Sequence, residues 1–103
     1  MAEYILQILR SNLMVMFSWG FHQPQRLPDN KGLAFKVQGF KYTGWVEVRY
    51  NDGRDLFEVE LIKTGVKVED VYFDCLVTVI DNLVEHTDNY QNDVENYYKS
   101  INQ

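Results

Sequence analysis

Cysteine is all but missing from this chain of 103 residues, and Cys75 stands alone. No disulfide can form within the chain, and nothing in its cysteine usage points to an oxidising compartment. Long apolar runs are missing as well. The longest, Leu13 to Phe17, falls far short of the ~20 residues that a membrane-spanning helix needs. Glu3 and Arg10 stand where a secretory signal would carry a basic start and a clean apolar middle. A soluble, cytoplasmic protein with no membrane contact is the expectation. Positive charge is also scarce: ten basic residues face fifteen acidic ones, for a net charge of -5. Proteins that bind nucleic acid draw affinity from Lys and Arg neutralising phosphates, so direct nucleic-acid binding is not expected.

The recurrent patterns of catalysis are missing too. There is no Gly-rich phosphate loop, no nucleophile elbow and no paired-carboxylate cleft. Neither calcium-loop spacing nor a Cys/His zinc pattern occurs, so no metal and no cofactor are expected. Cys75 and His86 are eleven residues apart on one expected helix, which separates them by roughly 16 Å along its axis. A nucleophile and its base need hydrogen-bond reach, and these two lack it. Cys75 reads as a small apolar-stripe residue. An enzyme is not expected.

What the chain does hold is a long alternating stretch from Leu33 to Ile62. Leu33, Phe35 and Val37, then Val46, Val48 and Tyr50, then Phe57, Val59 and Leu61 each fall on one face of a strand. Asn51-Asp52-Gly53 breaks the run with residues that tolerate positive φ, a strong hairpin signal. Thr43-Gly44 reads as the preceding turn, and Thr64-Gly65 as the end of the pattern. The centre is therefore an antiparallel meander with one apolar face, which its flanks must cover.

Those flanks read as helices. Ile5, Ile8, Leu9, Leu13 and Met16 recur at helical spacing over residues 2–16. Tyr4, Leu6 and Met14 make that segment apolar on more than one side, as for a helix that is deeply buried or shared with a partner. A competing reading ends the helix near Ser11-Asn12 and makes residues 13–19 a strand, with Leu13, Val15, Phe17 and Trp19 on one side. Residues 20–32, rich in turn formers around Pro24 and Pro28, read as a long connection. From Asp70 to Thr87 an apolar residue returns every four positions, which predicts a second helix with Glu69 and Asp70 at its start. Beyond it Tyr90, Val94, Tyr97, Tyr98 and Ile101 keep helical spacing in a polar tail. The expected fold class is α+β: an N-terminal helix, three or four antiparallel strands, a C-terminal helix packed on one sheet face, and a helical tail. Residues 1–87 form the domain and residues 88–103 the tail. Helix, three strands, helix is also the order of the double-stranded-RNA-binding domain. The lysine cluster such domains place before the last helix is here Val68-Glu69-Asp70 with Asp74, so that mode of binding is rejected.

Two candidate sites follow. The first is an acidic stripe of Asp70, Asp74, Asp81, Glu85 and Asp88 on the second helix, opposite its apolar face. Such a stripe is ordinarily a solvated face. Here like charges neighbour one another three or four residues apart with no Lys or Arg among them, each pair costing a few tenths of a kcal/mol. From Thr64 onward there are two basic and eight acidic residues, against eight and seven before it. That acidic surface suits a basic protein partner, with Trp45 and Phe40 as aromatic anchors. Self-association as a homodimer is compatible with it. The second candidate is a small-molecule or peptide pocket formed by the 17–32 loop and lined by Trp19, Phe21, His22 and Trp45.

Ser18-Trp19-Gly20-Phe21-His22, then Gly32-Leu33 with Val37-Gln38-Gly39-Phe40, then Asp70-Val71-Tyr72-Phe73-Asp74 before Val79-Ile80-Asp81 resemble small uncharacterised proteins carried on bacterial mobile elements. The resemblance spans most of residues 14–85. It implies no catalytic residue or cofactor. It implies an accessory role, in which such proteins often act by binding host or element-encoded proteins.

Overall fold

Leu33, Phe35, Val37, Val46, Val48, Phe57, Val59 and Leu61 all face one buried core, as their alternation requires. The computed structural model describes residues 1–85, so Asp88 and the tail of residues 88–103 lie outside the described residues. Helix α1 spans Ala2–Arg10 and α2 Leu13–Ser18. The strands are β1 (His22–Arg26), β2 (Gly32–Gln38), β3 (Thr43–Asn51), β4 (Leu56–Leu61) and β5 (Val66–Val71). Helix α3 spans Leu76–Val84. The five strands form one antiparallel sheet in chain order, and the helices cover one face of it. The fold is α+β, with one strand more than the three or four expected.

The sheet centre is held by cross-strand pairs of apolar side chains: Leu33 opposite Val48, Phe35 opposite Val46, Val48 opposite Val59 and Tyr50 opposite Phe57. Over this face lie Ile5 and Leu9 of α1, Met16 and Trp19 at α2, and Leu76, Ile80 and Val84 of α3, all buried. The opposite face is a charge ladder. Arg49 bridges Glu47 at 2.6 Å and Glu60 at 3.0 Å, and the Lys36 ammonium stands 5.3 Å from the Trp45 ring centroid. These charges neutralise one another across the strands.

Several expectations need correction. The N-terminal segment is two helices, because the chain turns at Ser11–Asn12, where Asn12 leaves helical geometry (φ −130, ψ 71). The strand alternative for residues 13–19 fails, since Leu13–Ser18 is helical and Gly20, at φ +66, ends it. The Trp19 carbonyl then accepts the Gln38 N–H at 2.6 Å, which pins α2 to β2. The long connection contains the edge strand β1. Its pairing shifts between His22 and Gln25, where Gln23 takes φ 53 and Pro24 needs no donor. The turn between β2 and β3 is residues 39–42, closed by Gly39 N–H to the Tyr42 carbonyl at 2.9 Å; Thr43-Gly44 belongs to β3. Asn51-Asp52-Gly53 does turn the chain, with the Asn51 side chain accepting N–H groups from Gly53 and Arg54.

The second helix begins at Leu76 and not at Asp70. Residues 66–71 form β5, whose pairing shifts where Asp70 takes φ 57, and a short 3-10 turn at Phe73–Cys75 leads into α3.

Candidate functional site

The acidic stripe does not exist as one helix face. Asp70 sits in β5 and holds Arg54 through both oxygens, at 2.7 and 2.9 Å. Asp74 lies in the 3-10 turn, exposed. Asp81 and Glu85 are on or just after α3, but each follows a buried residue, Ile80 and Val84, by one position. That puts them about 100° round the helix from the core stripe, on the border where α2 and the β2–β3 turn pack. Asp81 accepts the Trp19 indole N–H at 2.9 Å. Glu85 is only 7% exposed and accepts the Phe40 N–H at 3.0 Å. Burial pushes its carboxyl up, the Phe40 N–H opposes this, and the Asp81 charge adds to it. Asp81 thus joins α3 to the end of α2, and Glu85 joins it to the β2–β3 turn.

The anchors proposed alongside them part company. Phe40 is exposed in the β2–β3 turn beside the end of α3, whereas Trp45 stands under Lys36 on the sheet face away from the helices. The aromatic pocket is not assembled either. Trp19 is fully buried in the core, and Phe21 packs on Phe35 at 4.8 Å between ring centroids. His22 lies in the edge strand with Nδ1 2.6 Å from the Gly20 carbonyl oxygen, and Trp45 faces the other way. The 17–32 segment is a helix end, an edge strand and a short 3-10 turn; its Gln25 borders two small hollows, of about 240 and 200 Å³, the smaller beside Trp45, and neither takes in Trp19, Phe21 or His22.

The structure forms a different cleft. Helix α1 and the turn into α3 part to leave a hollow of about 610 Å³ between Tyr4, Ile8 and Asn12 on one side and Phe73, Asp74 and Val77 on the other. A second hollow of about 400 Å³ adjoins it, bounded by Met1, Tyr50, Asp55 and Phe57 and again by Tyr4 and Phe73. Tyr4 and Phe73 border both, so the two hollows meet at these rings. Tyr4 and Phe73 are 47% and 60% exposed, large rings left in water at the mouth. Tyr4 lies 6.4 Å from Phe57, and Phe57 5.3 Å from Tyr50, measured between ring centroids, so these rings form a connected floor.

The ionised side chains in the cleft are carboxylates: Asp74 in the larger hollow and Asp55 in the smaller. Neither takes part in an ion pair among the described residues. The Tyr50 hydroxyl donates to Asp55, and that bond above all pushes the phenol up to about 12. A further depression of about 420 Å³ at the β3–β4 turn mixes both signs, Lys31 and Arg49 with Asp52 and Glu58, and Lys31 meets Asp52 there at 2.6 Å. It has no comparable charge preference.

Sequence reasoning missed this cleft although its parts were visible. Tyr4 stood out as apolar on the wrong side of α1, and Phe73 sat beside Asp74. Nothing in the sequence joins the two, because the fold alone brings the start of α1 to the start of α3. Cys75 is exposed, with its thiol pushed up by desolvation and the neighbouring Asp74. Among the described residues no group of three His, Cys, Asp or Glu could hold a metal ion, and no helix is long and apolar enough to cross a membrane. Compared with known protein families, with curated proteins and with solved structures, the chain matches none.

Proposed function

We propose that this protein is a non-enzymatic interaction module that binds a basic segment of a protein partner in the cleft between α1 and the turn into α3. One observation carries the reading: two exposed aromatic rings, Tyr4 and Phe73, flank Asp74, a carboxylate with no ion-pair partner among the described residues. Exposed aromatic anchors next to a single sign of charge are the usual ingredients of a binding hot spot. The net charge of -5 favours encounter with a basic partner. The lone cysteine, which leaves no internal disulfide, supports a cytoplasmic setting.

The test is a random-peptide display selection on the full chain, repeated on the Asp74→Lys and Phe73→Ala variants. Wild type is expected to enrich peptides rich in Lys and Arg, and both variants to lose that enrichment. Equal enrichment on Asp74→Lys, or none on wild type, overturns the reading.

A further inference from the structure

We infer that the cleft is a two-cation site, which takes a segment carrying two Lys or Arg side chains on either side of an apolar residue. The inference rests on the proposed role in binding a basic partner and specifies what that partner must present.

Its basis is the layout of charge along two adjoining hollows. Tyr4 and Phe73 line both compartments, and each compartment supplies a single carboxylate, Asp74 in one and Asp55 in the other. The two rings between them carry no charge, and only the Tyr4 hydroxyl is polar. An apolar side chain resting on Tyr4 and Phe73 therefore places its neighbours at the two ends. There a cation finds a carboxylate together with an aromatic face, two weak attractions that act in the same direction. Asp55 is oriented for this role: the Tyr50 hydroxyl occupies one of its acceptor positions and leaves the remaining lone pairs for an incoming donor. The α-amino group of Met1, a residue that also borders this hollow, donates to the Asn30 side chain at 2.8 Å. Arg54, the next residue along the chain, is turned away to Asp70. Neither Asp55 nor Asp74 is in an ion pair among the described residues, so both carboxylates can meet a partner's cations.

Linking two weak contacts through one short segment raises affinity, because the second contact forms at a high effective concentration. The experiment is an amide NMR titration of the full chain with capped synthetic peptides. Arg-Leu-Arg and Arg-Leu-Leu-Arg are compared with Arg-Leu-Ala and with Glu-Leu-Glu. At least one double-arginine peptide is expected to bind about tenfold more tightly than the single-arginine one. Asp55→Asn and Asp74→Asn should each abolish that advantage. Asparagine tolerates the positive φ of 56 at position 55, so the variant keeps the backbone, and its amide spectrum verifies this. If Asp74→Asn weakens binding while Asp55→Asn changes nothing, the site holds one cation. The inference is then overturned, while the basic-partner reading stands. If no arginine peptide moves the amide signals of Tyr4, Phe73 and Asp74, or Glu-Leu-Glu moves them equally, both fall together.

Discussion

The Trp19 indole donates its N–H to the Asp81 carboxylate at 2.9 Å, and so ties the end of α2 to the middle of α3 across the top of the sheet. Trp19 has no exposed surface. With Asp81 in place no water reaches the indole, although Asp81 itself is only half-buried. Asp81→Ala should therefore cost about 1–3 kcal/mol, the penalty for stranding a buried donor. An acid on a solvated stripe would cost within about 0.5 kcal/mol. Urea unfolding separates the two, and a double-mutant cycle with Trp19→Phe should show that the two effects are coupled. Additive effects would mean that the bond contributes nothing.

Glu85 predicts a pH dependence with a definite sign. Its carboxyl is raised in the folded state, first by burial, so the folded protein holds the proton more tightly than the unfolded chain does. The resulting stability is complete below the unfolded carboxyl's value and is lost as pH rises through the higher folded value. Glu85→Gln keeps an oxygen to accept the Phe40 N–H and removes both the buried charge and its repulsion with Asp81. The variant should be at least as stable as wild type at neutral pH, and its advantage should vanish in acid. Denaturant midpoints across that range check this. A variant less stable at neutral pH and equal in acid would show that the ionised carboxylate strengthens the contact.

How much of this was legible depends on what each residue reports. Strands β2, β3 and β4 were readable because one face of each is buried, so apolar and polar residues alternate. Strand β1 has no such record: four of its five residues are exposed, and it is held by backbone pairing that side chains do not announce. In β5 the Val66-Val68 alternation is thrown out of phase by the left-handed Asp70, and Val71 then reads as the start of a helix. Asp81 and Glu85 read as opposite the α3 apolar stripe, yet both lie at its border, and Glu85 is buried. A helical pattern shows which residues share a face, but not that Trp19 and the Phe40 backbone come to cover it. The cleft was the least legible feature, since it exists only where α1 and the turn into α3 meet.

Gly39 is a third test of how the β2–β3 turn grips α3. A Cβ there would stand 2.2 Å from the Val84 carbonyl oxygen and 2.8 Å from a Glu85 carboxylate oxygen. Both distances are far inside contact. That close approach lets Lys41 cap the helix, its N–H on the Val84 carbonyl at 2.9 Å and its ammonium on the Asn82 carbonyl at 2.5 Å. Gly39→Ala should force the turn off the helix end and cost about 1–3 kcal/mol, as overpacking does. Thermal unfolding measures it, with slowed Lys41 amide exchange in wild type, but not in the variant, as the local sign. An unchanged melting temperature would place α3 farther from the turn than described.

Tyr50 offers a readout for the cleft itself. Its phenol is pushed up to about 12 chiefly because its proton is held by Asp55, so in an alkaline titration of ring-labelled tyrosine it should be among the last to ionise. In Asp55→Asn the charged acceptor is gone, and Tyr50 should fall back towards an ordinary tyrosine. If it does not, the bond is not the cause. The same signal reports occupancy of the cleft. A guanidinium at Asp55 places positive charge beside the phenol, which favours the phenolate and should lower the Tyr50 value with the peptide bound. A peptide that binds through Asp74 alone would leave it where it is, so this one resonance distinguishes a segment that fills the whole cleft from one that fills half.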